Sequence, residues 1–246
     1  MTANKTFIVT GAARGIGAAI TNRLLDDGHR VLAMDINALP PDHPWLRRDA
    51  LRFERGDVTR ADDVRSILDC GVRHFGGIDV IVNNAGIAQR KGDLLETDEA
   101  EFDRLMAVNV RSIYLFARYG VPILEKSAAP SIINVGSVIG LRPRPKLTWY
   151  STSKGAANVM TKALAVELAP RGIRVNAVCP VATETDMLEA LAGGDTEDDI
   201  APLRASVPLG RLAKAADVSS AVAFLASEEA AFLTGVNLPV DGGRSI

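Results

Sequence analysis

Cysteine, histidine and aromatic residues are all scarce in this 246-residue chain, which holds two cysteines, three histidines and 5% Phe, Trp and Tyr. Cys70 and Cys179 lie far apart and neither belongs to a CxxC pair, so a disulfide framework is excluded and both read as small buried hydrophobes. His29, His43 and His74 all fall in the first third and form no close-spaced ligand cluster, so they read as loop or helix-end residues and no metal site is expected. No apolar run approaches the roughly 18 residues that a membrane span needs. The apolar N-terminal run is too short for a secretion signal, and glycines interrupt it at once. The 28 basic and 30 acidic side chains leave a formal charge of only −2, which gives no field for nucleic acid or an anionic membrane. A reducing cytoplasm is the expected setting.

What the chain does have is apolar material for a core: 47% of residues are hydrophobic and 24% charged. The length suits one α/β domain over residues 1–246. Short β-branched runs at Thr6–Thr10, Arg30–Asp35, Leu51–Arg55, Ile78–Val82, Ser131–Val135, Arg174–Val178 and Val236–Val240 read as strands. Helical periodicity separates them at Ile16–Asp26, Ala61–Phe75, Glu99–Leu124, Tyr150–Leu168 and Ala216–Ala226. Strands joined through helices imply a parallel sheet, apolar on both sides and covered on both faces. Thr59 and Asp62 resemble a capping box opening the second helix. Pro40–Pro44 reads as a turn-rich connection. Residues 188–209, with two glycines and an acidic DTEDD run, read as a mobile insertion, the substrate loop extending over about 183–209.

The first strand runs into Thr10-Gly-Ala-Ala-Arg-Gly-Ile-Gly17 and a helix starts there. Glycines let the backbone turn sharply and let a pyrophosphate approach. The unpaired N–H groups and dipole of the helix start favour an anion. The rival reading of Gly11, Gly15 and Gly17 is purely steric. Asp35 ends the second strand, where an acid can accept hydrogen bonds from an adenosine ribose and repel a 2′-phosphate. Arg14 pulls the other way, since a guanidinium can bind that phosphate. The balance favours NAD over NADP. Tyr150 and Lys154, at i and i+4, share one helical face. A phenol beside an ammonium can exchange a proton with a developing alkoxide, and the positive charge lowers the phenol's pKa. Ser137 follows the fifth strand on the carboxyl edge, where its hydroxyl can orient a substrate oxygen. A nucleophilic serine would need a histidine base, and none stands in a suitable context.

Together these residues resemble the short-chain dehydrogenase/reductase family over essentially the whole chain. The resemblance rests on TGxxxGIG at Thr10–Gly17, Asp57-Val58, Asn83-Asn84-Ala85-Gly86, Asn109, Ser137, the YxxxK pair, Asn176 and the closing Val240-Asp-Gly-Gly243. It implies a single-domain Rossmann-type, doubly wound α/β fold with seven parallel strands in the order 3-2-1-4-5-6-7. It also implies hydride transfer between NAD(H) and a secondary alcohol or ketone of a small metabolite. By the same resemblance Gly11, Arg14, Gly15, Ile16, Gly17, Asp35 and Ile36 bind the dinucleotide, Asp57 and Val58 hold the adenine, and the Asn84, Ala85 and Gly86 backbone lines the cleft. Lys154 binds the nicotinamide ribose and keeps Tyr150 acidic, Tyr150 exchanges the proton, Ser137 orients the carbonyl, and Asn109 holds a water linking Lys154 to solvent. Pro180, Thr183 and Thr185 lie where the nicotinamide carboxamide is met, although Val181 and Thr183 depart from the family's pattern. A homotetramer is the implied assembly, with the Tyr150 helix and the last strand near its interfaces. Two rivals stand beside this reading: an NADPH-dependent 3-oxoacyl-[acyl-carrier-protein] reductase and a non-catalytic dinucleotide sensor. Arg142, Arg144 and Lys146 would suit the phosphopantetheine or carboxylate of the former. Prolines project their charges outward, however, so a solvated loop is the simpler expectation.

Overall fold

The computed structural model describes residues 4–246 and contains one seven-stranded parallel sheet, ordered β3-β2-β1-β4-β5-β6-β7. The strands are β1 (Thr6–Thr10), β2 (Arg30–Asp35), β3 (Leu51–Arg55), β4 (Val80–Asn83), β5 (Ser131–Val135), β6 (Arg174–Pro180) and β7 (Asn237–Val240). The helices are α1 (Gly15–Asp26), α2 (Ala61–Phe75), α3 (Glu99–Met106), α4 (Ser112–Leu124), α5 (Thr148–Leu168), α6 (Leu188–Ala192), α7 (Glu197–Ala205) and α8 (Ala215–Ala226). No helix among the described residues is long and apolar enough to cross a membrane.

Because successive strand side chains point to opposite faces, the central strands supply two cores. Phe7, Val9, Val31, Ala33, Val80 and Val82 pack with Ile20 and Leu24 of α1 and with Val218, Val222 and Leu225 of α8. Ile8, Leu32, Met34, Ile81 and Ile132 face the other way, against Val64, Ile67 and Leu68 of α2 and Leu115, Phe116 and Leu124 of α4. All of these are essentially buried. Truncating one of them, such as Leu24→Ala, costs about 2–5 kcal/mol. Both faces are covered, so the strands read as continuous apolar runs. β1 is the reversal point of the strand order, with β2 on one side and β4 on the other. The crevice beyond the carboxyl ends of β1 and β4 is therefore where such a sheet binds ligands.

Five local expectations give way to different geometry. The periodic stretch 99–124 is broken into α3 and α4 by a π-helical turn at Ala107–Arg111, centred on Asn109. The Thr59/Asp62 capping box does not form. Instead α2 is preceded by Arg60, and both Thr59 N–H and its hydroxyl donate to Asp57 Oδ1 at 2.8 Å. Asp57 thereby uses the hydroxyl that the box required. β4 starts two residues late, because the Asp79 carboxylate turns back to accept from Thr6 N–H at 2.7 Å and from the Ser127 hydroxyl. β6 runs two residues further than expected, to Pro180. The segment read as an insertion contains α6 and α7. Its acidic run starts α7 through a Thr196/Asp199 capping box, with Glu197, Asp198 and Asp199 at the positive end of the dipole.

Candidate active site

The Thr10 side chain fastens the crevice. Its hydroxyl accepts from Asn84 N–H at 3.0 Å and Ala85 N–H at 2.9 Å, joining the ends of β1 and β4. The Asn84 amide then donates to the carbonyls of Thr10 (2.8 Å) and Gly11 (3.1 Å), holding the glycine turn. The glycines divide by purpose. A Cβ on Gly17 would stand 2.0 Å from the Gly11 carbonyl oxygen, and one on Gly11, at φ +61°, 2.9 Å from Ala85 Cα. Those two positions answer to packing. Gly15, at φ +55°, faces Thr185 Cγ2 at 3.3 Å, so a side chain there would press on the cleft wall itself. No side chain caps α1 and its first turn carries no acid. Its first N–H groups thus have no anion of the chain's own, which fits a pyrophosphate.

Asp35 is buried at the end of β2. Its carboxylate accepts from Ala13 N–H at 3.0 Å and from the Asn37 backbone (2.9 Å) and amide (3.2 Å). An ionised carboxylate has about four acceptor positions, so capacity remains for a ribose hydroxyl. Ile36 beside it is exposed. Arg14 does not stand free for a 2′-phosphate: its Nη1 pairs with Asp186 at 3.0 Å across the cleft. Arg55, which sequence reasoning passed over, is the register partner of Asp35 on β3 and lines the same cleft. Its Nε is tied to the Ile36 carbonyl at 3.0 Å.

Tyr150, Ser137 and Lys154 meet at the other end of the cleft. α5 brings Tyr150 and Lys154 to one buried face. Ser137 leaves β5 in extended backbone, and its hydroxyl donates to the Pro180 carbonyl at 3.3 Å. Lys154 Nζ donates to the Val135 carbonyl at 2.9 Å. Tyr150 packs with Leu105, Ile139 and Leu147, and its hydroxyl has a weak 4.0 Å contact with Met187 Sδ. Burial pushes the phenol up to about 12, opposed by a hydrogen bond with the Ser137 side chain. Burial pushes the Lys154 ammonium down to about 8. The phenol thus stands above its ordinary value although Lys154 shares its helical face. Burial disfavours both charged forms, and Lys154 spends a proton on Val135.

One cleft of about 1280 Å³ is lined by Gly11, Arg14, Gly15, Ile16, Gly17, Asp35, Ile36, Asp57, Val58, Asn84, Ala85, Gly86, Ser137, Tyr150, Lys154, Pro180, Thr183 and Thr185. Asn109 alone of the expected residues does not line it. Its amide oxygen accepts from Ile87 N–H and its nitrogen donates to the Ile87 carbonyl and the Ser153 hydroxyl, each at 2.9 Å. These bonds make Asn109 a brace for the cleft wall at the π turn. Its oxygen still stands near Lys154, since a Cβ on Gly86 would meet Asn109 Oδ1 and Lys154 Nζ at 3.3 Å each. Thr183 is buried, donating to the Val181 carbonyl at 2.9 Å, and Thr185 donates to the Thr183 carbonyl at 3.4 Å. The departures at 181 and 183 therefore leave this wall folded. Arg142 and Arg144 line the cleft too; Arg142 and Lys146 are exposed, as the solvated-loop expectation has it, whereas Arg144 is half-buried. Met187 and Arg244 are further lining residues with no signal in the sequence pattern.

Comparison with known proteins agrees with this architecture. Residues 11–245 match the family model described as enoyl-(acyl carrier protein) reductase. The chain is 42% identical to the 4-formylbenzenesulfonate dehydrogenase of Comamonas testosteroni, covering 97% of each chain. It is 39% identical to the 2-(R)-hydroxypropyl-CoM dehydrogenase of Xanthobacter autotrophicus, over 97% of this chain and 98% of that one. Among solved structures, a 3-ketoacyl-(acyl-carrier-protein) reductase from Brucella melitensis complexed with NADH superposes with a TM-score of 0.88 at 38% identity, covering 98% of each chain. The chain belongs to the short-chain dehydrogenase/reductase family.

Proposed function

We propose that this protein is an NAD(H)-linked dehydrogenase that interconverts a secondary alcohol and a ketone of a small metabolite, with Tyr150 as the acid/base. The observation that carries the reading is the convergence of the Ser137, Tyr150 and Lys154 side chains in the cleft that the glycine turn and Asp35 also line. The nicotinamide supplies the hydride acceptor or donor. The chain does the rest. The helix start and Gly15 receive the pyrophosphate, Asp35 the ribose, and the wall from Pro180 to Thr185 the carboxamide side.

Ser137 has a hydroxyl that both donates and accepts, so it can hold the reacting oxygen in either redox state. With its pKa near 12, Tyr150 carries its proton at neutral pH, the form needed to protonate an alkoxide during carbonyl reduction. In the oxidative direction the side chain must first be the phenolate, which takes the alcohol's proton and becomes the phenol, and a Lys154 held charged by ribose hydroxyls would favour that phenolate. The surrounding apolar residues exclude water, which strengthens each of these interactions.

The relatives support a small substrate. The named substrate of the Comamonas enzyme is a single ring bearing a formyl and a sulfonate group. The carrier-protein reductase reading draws on the Brucella neighbour, which is complexed with NADH, so the buried Asp35 carboxylate, which disfavours the 2′-phosphate of NADPH, speaks to the cofactor and not to that substrate. A cytoplasmic homotetramer completes the proposal.

Tyr150→Phe tests it. The phenol oxygen has one weak contact at 4.0 Å besides Ser137, so the variant should fold and bind NADH as wild type does. General acid/base catalysis contributes typically 10²–10⁴-fold, so turnover on a responsive alcohol should fall by about that factor. Turnover within threefold of wild type would end the assignment.

A further inference from the structure

The loop that joins Ser137 to Tyr150 and the last residues of the chain put three arginines on one wall of the cleft. Arg142 and Arg144 follow the 3-10 turn Val138–Gly140, and Arg142 N–H donates to the Val138 carbonyl at 2.8 Å, one turn from the Ser137 end of the site. Arg244 arrives from beyond β7 and lines the same cleft. The two segments are tied together, because Arg142 Nη1 donates to the carbonyls of Arg244 (3.4 Å) and Ile246 (3.0 Å). Arg144 and Arg244 are both half-buried. Burial, then the like charge of Arg244, holds the Arg144 guanidinium below its ordinary value.

No Asp or Glu side chain among the described residues offsets the charge of Arg144 and Arg244, while Arg142 is engaged by main-chain oxygens of Arg244 and Ile246. The ion pairs of the structure involve none of the three arginines. Asp241, the acid nearest Arg244 in sequence, is engaged by Gly243 N–H and by the backbone and hydroxyl of Ser245. Asp186 is taken by Arg14. Asp35 and Asp57 stand at the adenosine end, and Glu101 and Glu189 line the cleft without reaching ion-pair distance of these guanidiniums.

Two like charges half out of water repel each other and lose hydration, and a structure tolerates that where an anion is to be received. A guanidinium is planar and presents paired donors that match a carboxylate, sulfonate or phosphate oxygen pair. The geometry points to an anion subsite, formed by Arg144 and Arg244 with Arg142 bracing them, that binds the acidic group of the substrate distal to its carbinol. The substrate class is then a small hydroxy or keto acid, carboxylate or sulfonate. This inference rests on the dehydrogenase reading and narrows it.

The test uses full-length protein saturated with NADH, with benzenesulfonate as the probe and benzenesulfonamide as its neutral match, both titrated calorimetrically. Benzenesulfonate should bind at least tenfold more tightly than the sulfonamide. Arg144→Gln and Arg244→Gln, singly and together, should each erase most of that difference while leaving sulfonamide binding unchanged. Lys146→Gln, an exposed change in the same loop that does not line the cleft, should leave it intact. Equal binding of the two probes, or a difference that survives both arginine changes, overturns the subsite. Pantetheine 4′-phosphate serves as a third probe; if it binds tenfold more tightly than benzenesulfonate, the arginines read a carrier-borne phosphate and the small-acid assignment is wrong. Failure of NADH to bind, by contrast, would strike the dehydrogenase reading itself.

Discussion

Replacing Asp35 by Asn should move the protein from NADH towards NADPH, and the size of the move follows from the site. The carboxylate sits buried at the end of β2, fixed by Ala13 N–H at 3.0 Å and by the Asn37 backbone at 2.9 Å. It cannot swing away from an incoming phosphate without abandoning those donors. Two unit charges about 4 Å apart repel by about 1 kcal/mol in water and about 4 kcal/mol at an effective dielectric near 20. A buried side chain at a cleft mouth lies between those limits, so wild type should bind NADPH roughly ten- to a few hundredfold more weakly than NADH. Asn keeps the shape and one acceptor oxygen but removes the charge. Its loss of a charge-assisted bond to ribose, worth about 1.5–3 kcal/mol, should weaken NADH by about tenfold or more as NADPH improves. Fluorescence titration of both dinucleotides against wild type and Asp35→Asn measures all four constants. A wild-type preference for NADPH would refute the reasoning, as would a ratio unmoved by the substitution. Either result would hand control to Arg55, the register partner of Asp35 on β3, whose Nε is tied to the Ile36 carbonyl.

Lysine-selective NMR on protein without added dinucleotide should show one ammonium, lost in Lys154→Met, titrating near pH 8, while a full set of midpoints above 10 would contradict the burial of Lys154. The sign of its stability contribution follows: the folded value lies below the ordinary 10.5, so the folded chain holds fewer protons between about pH 8 and 10.5 and this group's penalty fades as pH rises through that window. Gly17→Ala should abolish NADH binding and lower Tm by roughly 2–12 °C, since the new methyl meets a backbone oxygen at 2.0 Å and overpacking costs about 1–3 kcal/mol. Unchanged melting and binding would mean that the glycine turn relaxes more freely than its Asn84 bonds allow.

The strands were legible because burial on both faces leaves uninterrupted β-branched runs, and six of the seven began where those runs begin or one residue later. The cleft was legible for a related reason: its residues sit where strands end and helices start, and the chain must bend there. The arginine wall was legible only in part, as the Arg142 and Arg144 of the loop before Tyr150. Arg244 joins Arg142 and Arg144 only through folding, about a hundred residues apart, and no periodicity records that meeting. Asn109 was found as a residue but not as a brace, because its partners at Ile87 are backbone atoms of another segment. The Tyr150–Lys154 spacing fixed a common face but not the local dielectric. Burial, a property of the assembled core, raises the phenol and lowers the ammonium.

A crystal structure of the protein with NADH bound is the most direct measure of where the chemistry happens. The pyrophosphate should lie on the start of α1, and the nicotinamide ring should lie between the Pro180–Thr185 wall and the Tyr150 hydroxyl, with Lys154 against its ribose. A ring seated elsewhere, or a phenol turned from the cleft with Ser137 left alone, would contradict the account.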